Sequence, residues 1–457
     1  MLQRLGSALS RLSERYVPDA WIICLMLTAI AIALAWAGPG ADPLTAARAW
    51  AEGVWTLLPL AMQFTLALVA AHACATAAPV YQALDRLASV ANADRPRQAV
   101  LLVGVFSLVT GWLNWALSLV ATALFVPFVL RRNPRADVRV VLAAGYLGLG
   151  TVWHGGLSGS APLILATPGN PLLGTGGTPG VVSRLYPITE TLLIPFNLGL
   201  ITLVGAVALA VVCLLHPTHG ARTVDAATLD ALLPIPAALP APSTPAQRID
   251  HFPGWVWFAA LLLLYPLGHA IVTRGFGASW TINAYNAVFI AAALLLHGRP
   301  AAFLVACRNG TAAAWGVILQ FPFYGGIYGV LQHTGLGRWI GDLFAGHASA
   351  ASYPLLVYLY SAAMNLFVPS GGSKWILEAP FLIPAGEALG VSPVTTLLAY
   401  CYGDSTTNLI QPFFAIPLLA VMRVRFADIL GYTAIVAAAC FTVNSFSMLL
   451  INKYIVL

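Results

Sequence analysis

Long apolar runs, separated by short polar or basic stretches, dominate the chain. Seven of them have about the length, roughly 20 residues, that an α-helix needs to cross the hydrocarbon core of a membrane. They lie at 20–37, 53–78, 187–215, 254–273, 281–298, 311–332 and 427–452. Two further runs are interrupted, 140–167 by WHGGLSGSAP and 394–418 by GDSTTNLIQP. Because backbone groups outside a helix are tolerated at membrane depth only when they are buried in protein or line a cavity, we predict two broken helices here.

Residues 98–130 form an almost unbroken apolar stretch with arginines on both sides. Basic loops remain on the cytoplasmic side of a membrane, so both ends of the stretch are expected on that side. About 33 residues are too few for two full crossings. The stretch therefore predicts a re-entrant hairpin of two half-helices, roughly 15 residues each, that turns near GWLN at 111–114. Residues 351–390 repeat the pattern from the other side and turn near NLFVPSGG at 365–372.

Charge along the chain predicts the orientation of these segments. The basic clusters lie at 4–15, 86–97, 131–139, 222–248, 299–308 and 423–425. The alternate loops carry a single arginine each, and they lie at 38–52, 168–186, 274–280 and 333–350. Positive loops stay inside, which places the N-terminus in the cytoplasm. The predicted fold is an all-α polytopic membrane protein of about nine transmembrane helices with two opposed re-entrant hairpins.

The order of segments repeats along the chain. Two helices, a hairpin, a broken helix and a closing helix run through 20–215, and the same order returns from the opposite side in 281–457. Between these halves we predict an Ala/Pro-rich, flexible cytoplasmic linker at 216–253 and a connecting helix within 254–280. Residues 1–19 predict a short interfacial helix. Inverted repeats with paired broken helices are typical of secondary transporters, whose binding site lies at the repeat interface near the membrane midplane.

Composition supports a membrane protein and excludes a soluble one. The chain is 59% hydrophobic and 8% charged, whereas soluble domains carry about 25% charged residues. The net charge of +6 follows the loop pattern and does not indicate a nucleic-acid partner. The six cysteines all lie in apolar stretches without a CxxC pair. We therefore expect neither a disulfide framework, nor a zinc site, nor a cofactor.

The second hairpin turn is the strongest candidate for binding an anion. Glycines leave backbone N–H groups open, and the N-terminus of a half-helix attracts negative charge. The alternative is that the polar side chains merely bond neighbouring helices. We predict a carboxylate site formed by Asn114 of the first turn and, from the second, by Asn365, Ser370, Gly371, Gly372, Ser373 and Lys374.

Lys374 allows two interpretations. It could face the cavity and attract the carboxylate, or it could pair with Glu378, which follows at i+4 on the same helix. We favour the Lys374–Glu378 pair, because an unpaired lysine at membrane depth is expensive.

The interrupted helices carry candidates for ion coupling and substrate contact. In the second, the coupling residues are predicted to be Asp404, Ser405, Thr406, Thr407 and Asn408. Oxygens of Asp404, Ser405 and Asn408 could coordinate Na⁺, or Asp404 could carry a proton. In the first, His154 and Ser158 are further substrate-site candidates, although His154 could equally be a satisfied core histidine.

Other features of the breaks are tryptophans and a protease-like tetrapeptide. The tryptophans that flank the breaks predict walls of a small apolar pocket, and they are Trp112, Trp115, Trp153 and Trp375.

The sequence GLSG at 156–159 also resembles the nucleophile segment of rhomboid-type intramembrane proteases, with His269 as a possible base. That hydrolase interpretation explains neither the second broken helix nor the repeat, so we expect no enzyme.

Three motifs, NLFVPSGGSKW, GDSTTNLIQP and GWLNW, together resemble the bacterial short-chain fatty acid transporter family, the acetoacetate- and butyrate-type permeases of the wider ion-transporter superfamily. The resemblance implies ion-coupled uptake of small monocarboxylates across the inner membrane, an elevator-like mechanism and a homodimer. It carries Asn114 to the first hairpin tip and Asn365 with Ser370–Ser373 to the second. Expected partners are a carboxylate substrate and the lipid bilayer, with Na⁺ or H⁺ as coupling ion. The alternative substrate is another organic anion, a dicarboxylate or a hydroxy acid.

Overall fold

The computed structural model describes residues 18, 20–174, 180–233, 239–312 and 314–455. Within these residues the chain is helical and contains no strand. The helices of the first half are α1 (Ala20–Ala37), α2 (Pro43–Gly53), α3 (Leu58–Ala75), α4 (Ala78–Ala88), α5 (Pro96–Leu113), α6 (Trp115–Arg132), α7 (Val138–Gly145), α8 (Leu147–Thr151), α9 (Ser160–Ala166) and α10 (Pro195–Leu214). The predicted interfacial helix within 1–19 lies outside the described residues, apart from residue 18.

The remaining helices form the linker and the second half. The linker contains α11 (Ala226–Leu232) and α12 (Pro245–Asp250), and the connecting segment contains α13 (Gly254–Arg274) and α14 (Phe276–Ser279). The second half consists of α15 (Ile282–His297), α16 (Pro300–Thr311), α17 (Trp315–His333), α18 (Leu336–Gly346), α19 (Tyr353–Met364), α20 (Gly371–Ala388), α21 (Pro393–Asn408), α22 (Ile416–Met422) and α23 (Phe426–Leu450). Short 3-10 turns lie at Trp153–Gly155, Ile188–Glu190, Phe413–Ala415 and Ile451–Lys453.

The order of helices in the first half is repeated in the second. A long, a short, a long and a short helix precede a hairpin, a broken helix and a closing helix in α1–α10 and again in α15–α23. The short helices α2 and α18 occupy segments predicted to be loops, 38–52 and 333–350, and that part of the prediction is wrong. Both have 11 residues, which is about 16 Å of helix and too short to cross a membrane. The inverted relation of the two halves remains a prediction.

The apolar runs form helices where the sequence predicts them. Among the described residues, six helices are long and apolar enough to span a membrane, and the bent pair α16–α17 is a seventh candidate. Helices α1 and α15 are apolar but shorter. The chain is therefore a multi-pass membrane protein.

Both predicted hairpins are present as helix pairs. Helices α5 and α6 meet at Asn114, and the rings of Phe106 and Phe125 lie 4.6 Å apart, so the second helix folds back along the first. Each arm has 18 residues instead of the predicted 15, or about 27 Å at 1.5 Å per residue. Helices α19 and α20 form the second pair around a turn at 365–370. The re-entrant character of both pairs remains a prediction.

Ion pairs bring several basic loops to one face of the molecule. Arg132 lies 2.6 Å from Asp85, and Arg131 lies 2.5 Å from Asp230 of the linker helix α11. Backbone bonds also attach the linker, since Val138 N–H donates to the carbonyl of Arg222 at 2.9 Å. The linker is predicted to be flexible, and its first part is nevertheless attached to α6 and α7 by these contacts.

Candidate functional site

A buried cluster of three side chains lies where the second hairpin tip meets both broken helices. Lys374 Nζ lies 3.1 Å from Asp404 Oδ1, and His154 Nδ1 lies 3.0 Å from Asp404 Oδ2. All three side chains are at most 1% exposed. Lys374 comes from the first turn of α20, Asp404 from α21 and His154 from the 3-10 turn after α8. The fold thus gathers three residues that are widely separated in the sequence.

Hydrogen bonds define the protonation pattern of the cluster. The N–H of Ala161 donates to His154 Nε2 at 3.2 Å. Nε2 is therefore the unprotonated nitrogen, and the hydrogen-bond network places the ring proton on Nδ1, facing Asp404. His154 acts as a neutral donor to the Asp404 carboxylate.

Lys374 is paired with Asp404, and the predicted pair with Glu378 is wrong. The ammonium also donates to the carbonyl oxygen and the hydroxyl of Ser361, at 2.9 and 2.8 Å, and lies 4.5 Å from the ring centroid of Tyr400. Helix spacing brought Glu378 one turn from Lys374. Asp404 of α21 is nevertheless the carboxylate at the ammonium, because α20 begins at the hairpin tip, where it packs against α21.

Gly371, the first residue of α20, makes this contact possible. A Cβ atom there would lie 2.6 Å from Trp153 Cη2, 2.8 Å from His154 Cε1 and 3.0 Å from Asp404 Oδ2. Tyr400 Oη donates to the Gly371 carbonyl at 2.8 Å. A residue with a side chain at this position would separate the tip from the cluster. Gly372 is similarly close to Phe64.

Asn365 joins the second hairpin turn to the end of α21. Its amide donates to the Asp404 carbonyl and to Asn408 Oδ1, both at 2.8 Å, and to Thr407 Oγ1 at 3.0 Å. The predicted interruption of this helix is found, but Gly403–Asn408 are still helical and the break follows at 409–412. Asp404 is therefore presented by a regular helix rather than by unwound chain.

Ser405 and Thr406 are buried members of the same helical segment. Thr406 Oγ1 donates to the carbonyl of Tyr402 at 2.7 Å and accepts from Asn444 Nδ2 at 3.0 Å. Ser373 Oγ donates to Ser370 Oγ at 2.5 Å at the start of α20. The candidate residues of the second half therefore form one contiguous region.

The first hairpin tip packs against the first broken helix. Asn114 Oδ1 caps α6 by accepting from Leu117 N–H at 2.9 Å, and Ser158 Oγ accepts from Trp115 N–H at 3.0 Å. Both side chains thus accept from backbone N–H groups of the first turn of α6. Asn114 Nδ2 is buried without a hydrogen-bond partner among the described residues. The tip reaches the cluster through Trp115, whose ring lies 6.1 Å from that of Trp153.

Aromatic rings lie beside the cluster, among them Trp153 and Trp375 of the four predicted tryptophans, whereas no tryptophan among the residues that the structure describes lines the cavity near the hairpin tip. Trp153 stacks on His154 with 4.2 Å between centroids, and Trp375 lies 4.7 Å from Tyr400. Sequence analysis missed Tyr400 and Ser361. The i, i+4 spacing of Tyr400 and Asp404 on one helix would have indicated Tyr400. Ser361 has no signal in the sequence, because only the hairpin geometry brings it to Lys374.

Sodium ligands were predicted at Asp404, Ser405 and Asn408. The two Asp404 oxygens face Lys374 and His154, and Asn408 Oδ1 accepts from Asn365 and from Gln411. Two of these oxygens already have hydrogen-bond donors and a third lies against the Lys374 ammonium, so they do not form a ready cage for a cation. Among the described residues, no three His, Cys, Asp or Glu side chains are arranged to hold a metal ion.

A cavity of about 510 Å³ approaches the hairpin tip from the side of loop 168–174. Leu60 and Ile164 belong to its wall. One helical turn away from them, Phe64 and Ser160 lie beside Gly372. The cavity therefore comes within a turn of helix of the tip.

The architecture is similar to that of two solved membrane proteins. The fold is similar to a crystal structure of the YdaH transporter of Alcanivorax borkumensis, described as having an unusual topology, with a TM-score of 0.61 over 95% of this chain and 99% of that one at 16% identity. It is also similar to MtrF of Neisseria gonorrhoeae, reported with a class of antimetabolite efflux pumps, with a TM-score of 0.63, coverage of 98% and 97%, and 12% identity.

Sequence comparison identifies the family. A family model described as Short chain fatty acid transporter matches residues 1–451, and the chain belongs to this family. Two relatives are provisionally named short-chain fatty acid transporters. The one from Escherichia coli K12 is 34% identical over 94% of this chain and 96% of its own, and the one from Haemophilus influenzae is 32% identical over 96% and 98%. Because the family and these relatives are transporters, the protein is not an enzyme.

Proposed function

We propose that the protein takes up short-chain fatty acids by secondary active transport, with one proton as the coupling ion. The observation that carries this proposal is the buried Lys374–Asp404 ion pair at the hairpin tip. The family and the names of the two relatives support the substrate class. The alternative of a dicarboxylate is less favoured, because Lys374 supplies a single positive charge at this site.

Charge balance explains why a carboxylate and a proton would travel together. Lys374 and Asp404 neutralise each other in the buried pair. A substrate carboxylate that replaces Asp404 at the ammonium adds one negative charge to a low-dielectric region, which is costly. Protonation of Asp404 removes that charge. The loaded and the empty site then have the same net charge, and both can move through the membrane.

A proton suits this site better than Na⁺. Sodium requires several oxygen ligands. The two Asp404 oxygens lie against Lys374 and His154, and Asn408 Oδ1 already accepts from Asn365 and Gln411. A proton needs only one oxygen of Asp404, which becomes available once the ammonium turns to the substrate. His154 would hold the other oxygen throughout.

The walls around the cluster suit a short alkyl chain. The rings of Trp153, Trp375 and Tyr400 are buried next to the ion pair. Contact with these rings would stabilise a few methylene groups, at about 0.8 kcal/mol per buried CH₂. We propose that substrate reaches them from the cavity beside Leu60 and Ile164, past Phe64 and Gly372.

Further parts of the proposal concern the whole transporter. We propose that the protein lies in the bacterial inner membrane with a cytoplasmic N-terminus, acts as a homodimer and moves its site by an elevator-like displacement of the hairpins and broken helices. The two halves would be inverted repeats, and the hairpins would be re-entrant.

Transport by purified protein in liposomes tests the proposal. We expect an inward proton gradient to drive accumulation of labelled butyrate faster than in protein-free liposomes, into which butyric acid diffuses, and a Na⁺ gradient at equal pH to have no effect. Asp404→Asn should abolish proton-driven accumulation, with Glu387→Gln, an exposed site on α20, as the matched control. Accumulation driven by Na⁺ alone, or normal accumulation in the Asp404→Asn variant, would contradict proton coupling at Asp404.

A further inference from the structure

Glu378 is a buried carboxyl group for which the transport scheme above has no use. It lies on α20 one helical turn beyond Lys374 and is 2% exposed. Neither of its oxygens accepts a hydrogen bond from any residue that the structure describes. An ionised carboxylate without partners in such surroundings is very costly. In the arrangement seen here, Glu378 is therefore carried in its neutral, protonated form.

Several groups face this carboxyl group from the helices packed around it. Lys374 and Asp404 interact with it electrostatically, and so do Tyr360 of α19 and Tyr400 of α21. The charged residues of α18, Arg338 and Asp342, are exposed. On the part of α17 that packs nearby, Tyr324 and Tyr328 are buried and His333 is exposed. Lys374 is the one described cation among the groups that interact with Glu378.

We propose that Glu378 is a second proton-binding group of the coupling site and delivers the proton that Asp404 receives. This inference rests on the proposed proton-coupled function. It assigns a role to a carboxyl group that would otherwise be a costly defect in the helix packing.

The proton moves in two balanced steps. With Lys374 on Asp404, Glu378 is protonated and the three groups together are neutral. A water molecule between the two carboxyl groups then accepts the Glu378 proton and gives one of its own protons to Asp404. The ammonium turns on its flexible stem toward the new Glu378 carboxylate. The substrate carboxylate next takes the ammonium, and a proton from the aqueous phase returns to Glu378. At every stage the net charge of the buried site remains zero.

Three variants separate this role from a structural one. Glu378→Gln keeps the size of the side chain but cannot bind a proton, Glu378→Asp keeps a titratable carboxyl, and Glu387→Gln changes the same residue type at an exposed position of the same helix. Each is reconstituted into liposomes that contain the pH indicator pyranine, and butyrate accumulation and internal acidification are recorded together.

We expect Glu378→Gln to lose the butyrate accumulation and the internal acidification that exceed those of protein-free liposomes, into which undissociated butyric acid diffuses. Some exchange of labelled for unlabelled butyrate at equal concentrations should remain. Glu378→Asp should keep coupled accumulation, and Glu387→Gln should match the wild type. Coupled accumulation at the wild-type level in Glu378→Gln would overturn the proposal. Equal loss in the Gln and Asp variants would also overturn it, because the defect would then follow packing and not proton binding.

Infrared spectroscopy of substrate-free protein provides a readout that does not depend on transport. The wild type and Glu387→Gln should show the carbonyl band of a buried protonated carboxyl at neutral pH, and Glu378→Gln should lack it. A wild type that moves butyrate without protons would refute the proposed function. The band would still show whether the Glu378 carboxyl group is protonated. An unchanged band in Glu378→Gln would refute the inference about Glu378 alone.

Discussion

At the scale of single residues, the site depends on one lysine held in a protein interior. Lys374 is stabilised by Asp404, by two oxygens of Ser361 and by the face of Tyr400. Each partner is itself held by a helix of the second half. A buried ion pair contributes little net stability but is costly to break. Its retention here is consistent with a role in binding or coupling, where a charge must be present but compensated.

The pair predicts strong coupling between substitutions. Lys374→Gln leaves Asp404 as an uncompensated buried charge, and Asp404→Asn leaves the lysine, so each should destabilise the protein by about 3–5 kcal/mol. The double variant Lys374→Gln/Asp404→Asn removes both charges and should be much more stable than the sum of the single losses implies. The free energies of unfolding of the wild type, the two single variants and the double variant, measured on purified protein in detergent, form a double-mutant cycle that gives the coupling energy. Additive losses would show that the two residues do not interact.

At the scale of helices and their connections, close contact between elements decides the site. The hairpin tip touches the first broken helix at Gly371, and the broken helix touches the arm α5 at Gly148, where a Cβ atom would lie 2.8 Å from the carbonyl carbon of Ser107. Glycine at these positions lets backbones approach as in many membrane helix pairs. The site is thus assembled by packing rather than by a local motif.

Gly371→Ala should disturb the site without removing any chemical group. The added methyl would press on Trp153 and His154, and overpacking of this kind costs about 1–3 kcal/mol. We expect butyrate uptake to fall strongly, because the tip can no longer close on the Lys374–Asp404 pair. Gly199→Ala on α10 is the matched control, since nothing lies within 4 Å of its Cβ position. Equal uptake by the two variants would mean that tip closure does not matter.

Asp137 attaches the linker to the start of α7, on the face of the molecule where the basic loops meet. Its buried carboxylate accepts from Arg139 N–H, from the Arg139 guanidinium at 2.6 Å and from Arg222 N–H at 2.9 Å. Burial alone would raise the pKa of Asp137, but these hydrogen bonds hold that pKa below its ordinary value. The carboxylate therefore stabilises the fold above the unfolded pKa of about 3.9. That contribution is lost as the pH falls through the lower folded value.

Asp137→Asn should destabilise the protein at neutral pH by about 1.5–3 kcal/mol, the usual contribution of hydrogen bonds to a charged group. The difference from the wild type should shrink as the pH falls below about 4. Unfolding in detergent over a pH series measures both effects, and limited proteolysis reports release of the linker near Arg222. A difference that does not depend on pH would mean that the charge of Asp137 is not what stabilises this region.

At the scale of the whole molecule, ion pairs link distant basic loops. Arg132–Asp85 connects the end of the first hairpin with α4, and Arg135–Asp94 connects the two loops that flank the hairpin. Arg222–Asp428 connects the linker with the last helix. These pairs are largely exposed, and each contributes little to stability. They show that these loops lie on one face of the molecule.

Cysteine labelling can assign that face to the cytoplasm. In a background without the six native cysteines, Asp94→Cys and Pro134→Cys should both react with a membrane-impermeant reagent from the cytoplasmic side. His347→Cys and Glu387→Cys should both react from the outside. These positions are exposed in the structure, whereas the nearby residues Ala136 and Ser392 are buried. Labelling of positions 94 and 134 from opposite sides would exclude the predicted hairpin.

The sequence by itself determined which segments are helices, where they break and that they lie in a membrane. These properties follow from local composition: apolar runs of sufficient length, proline and glycine at the breaks, and arginines in alternate loops. The turns at Asn114 and at 365–370 and the repeated order of segments could be predicted for the same reason. The short helices α2 and α18 could not, because their 11 residues depend on packing against neighbours.

Only the tertiary structure decided which polar residues meet. Lys374 and Glu378 are neighbours on one helix, and local spacing favours their pairing, yet the lysine lies against Asp404, Ser361 and Tyr400. His154 comes to the same carboxylate from the other half of the chain. Contacts between residues so far apart in the sequence arise from the crossing of three elements at a glycine. No local pattern encodes that crossing, since it depends on the packing of the whole molecule.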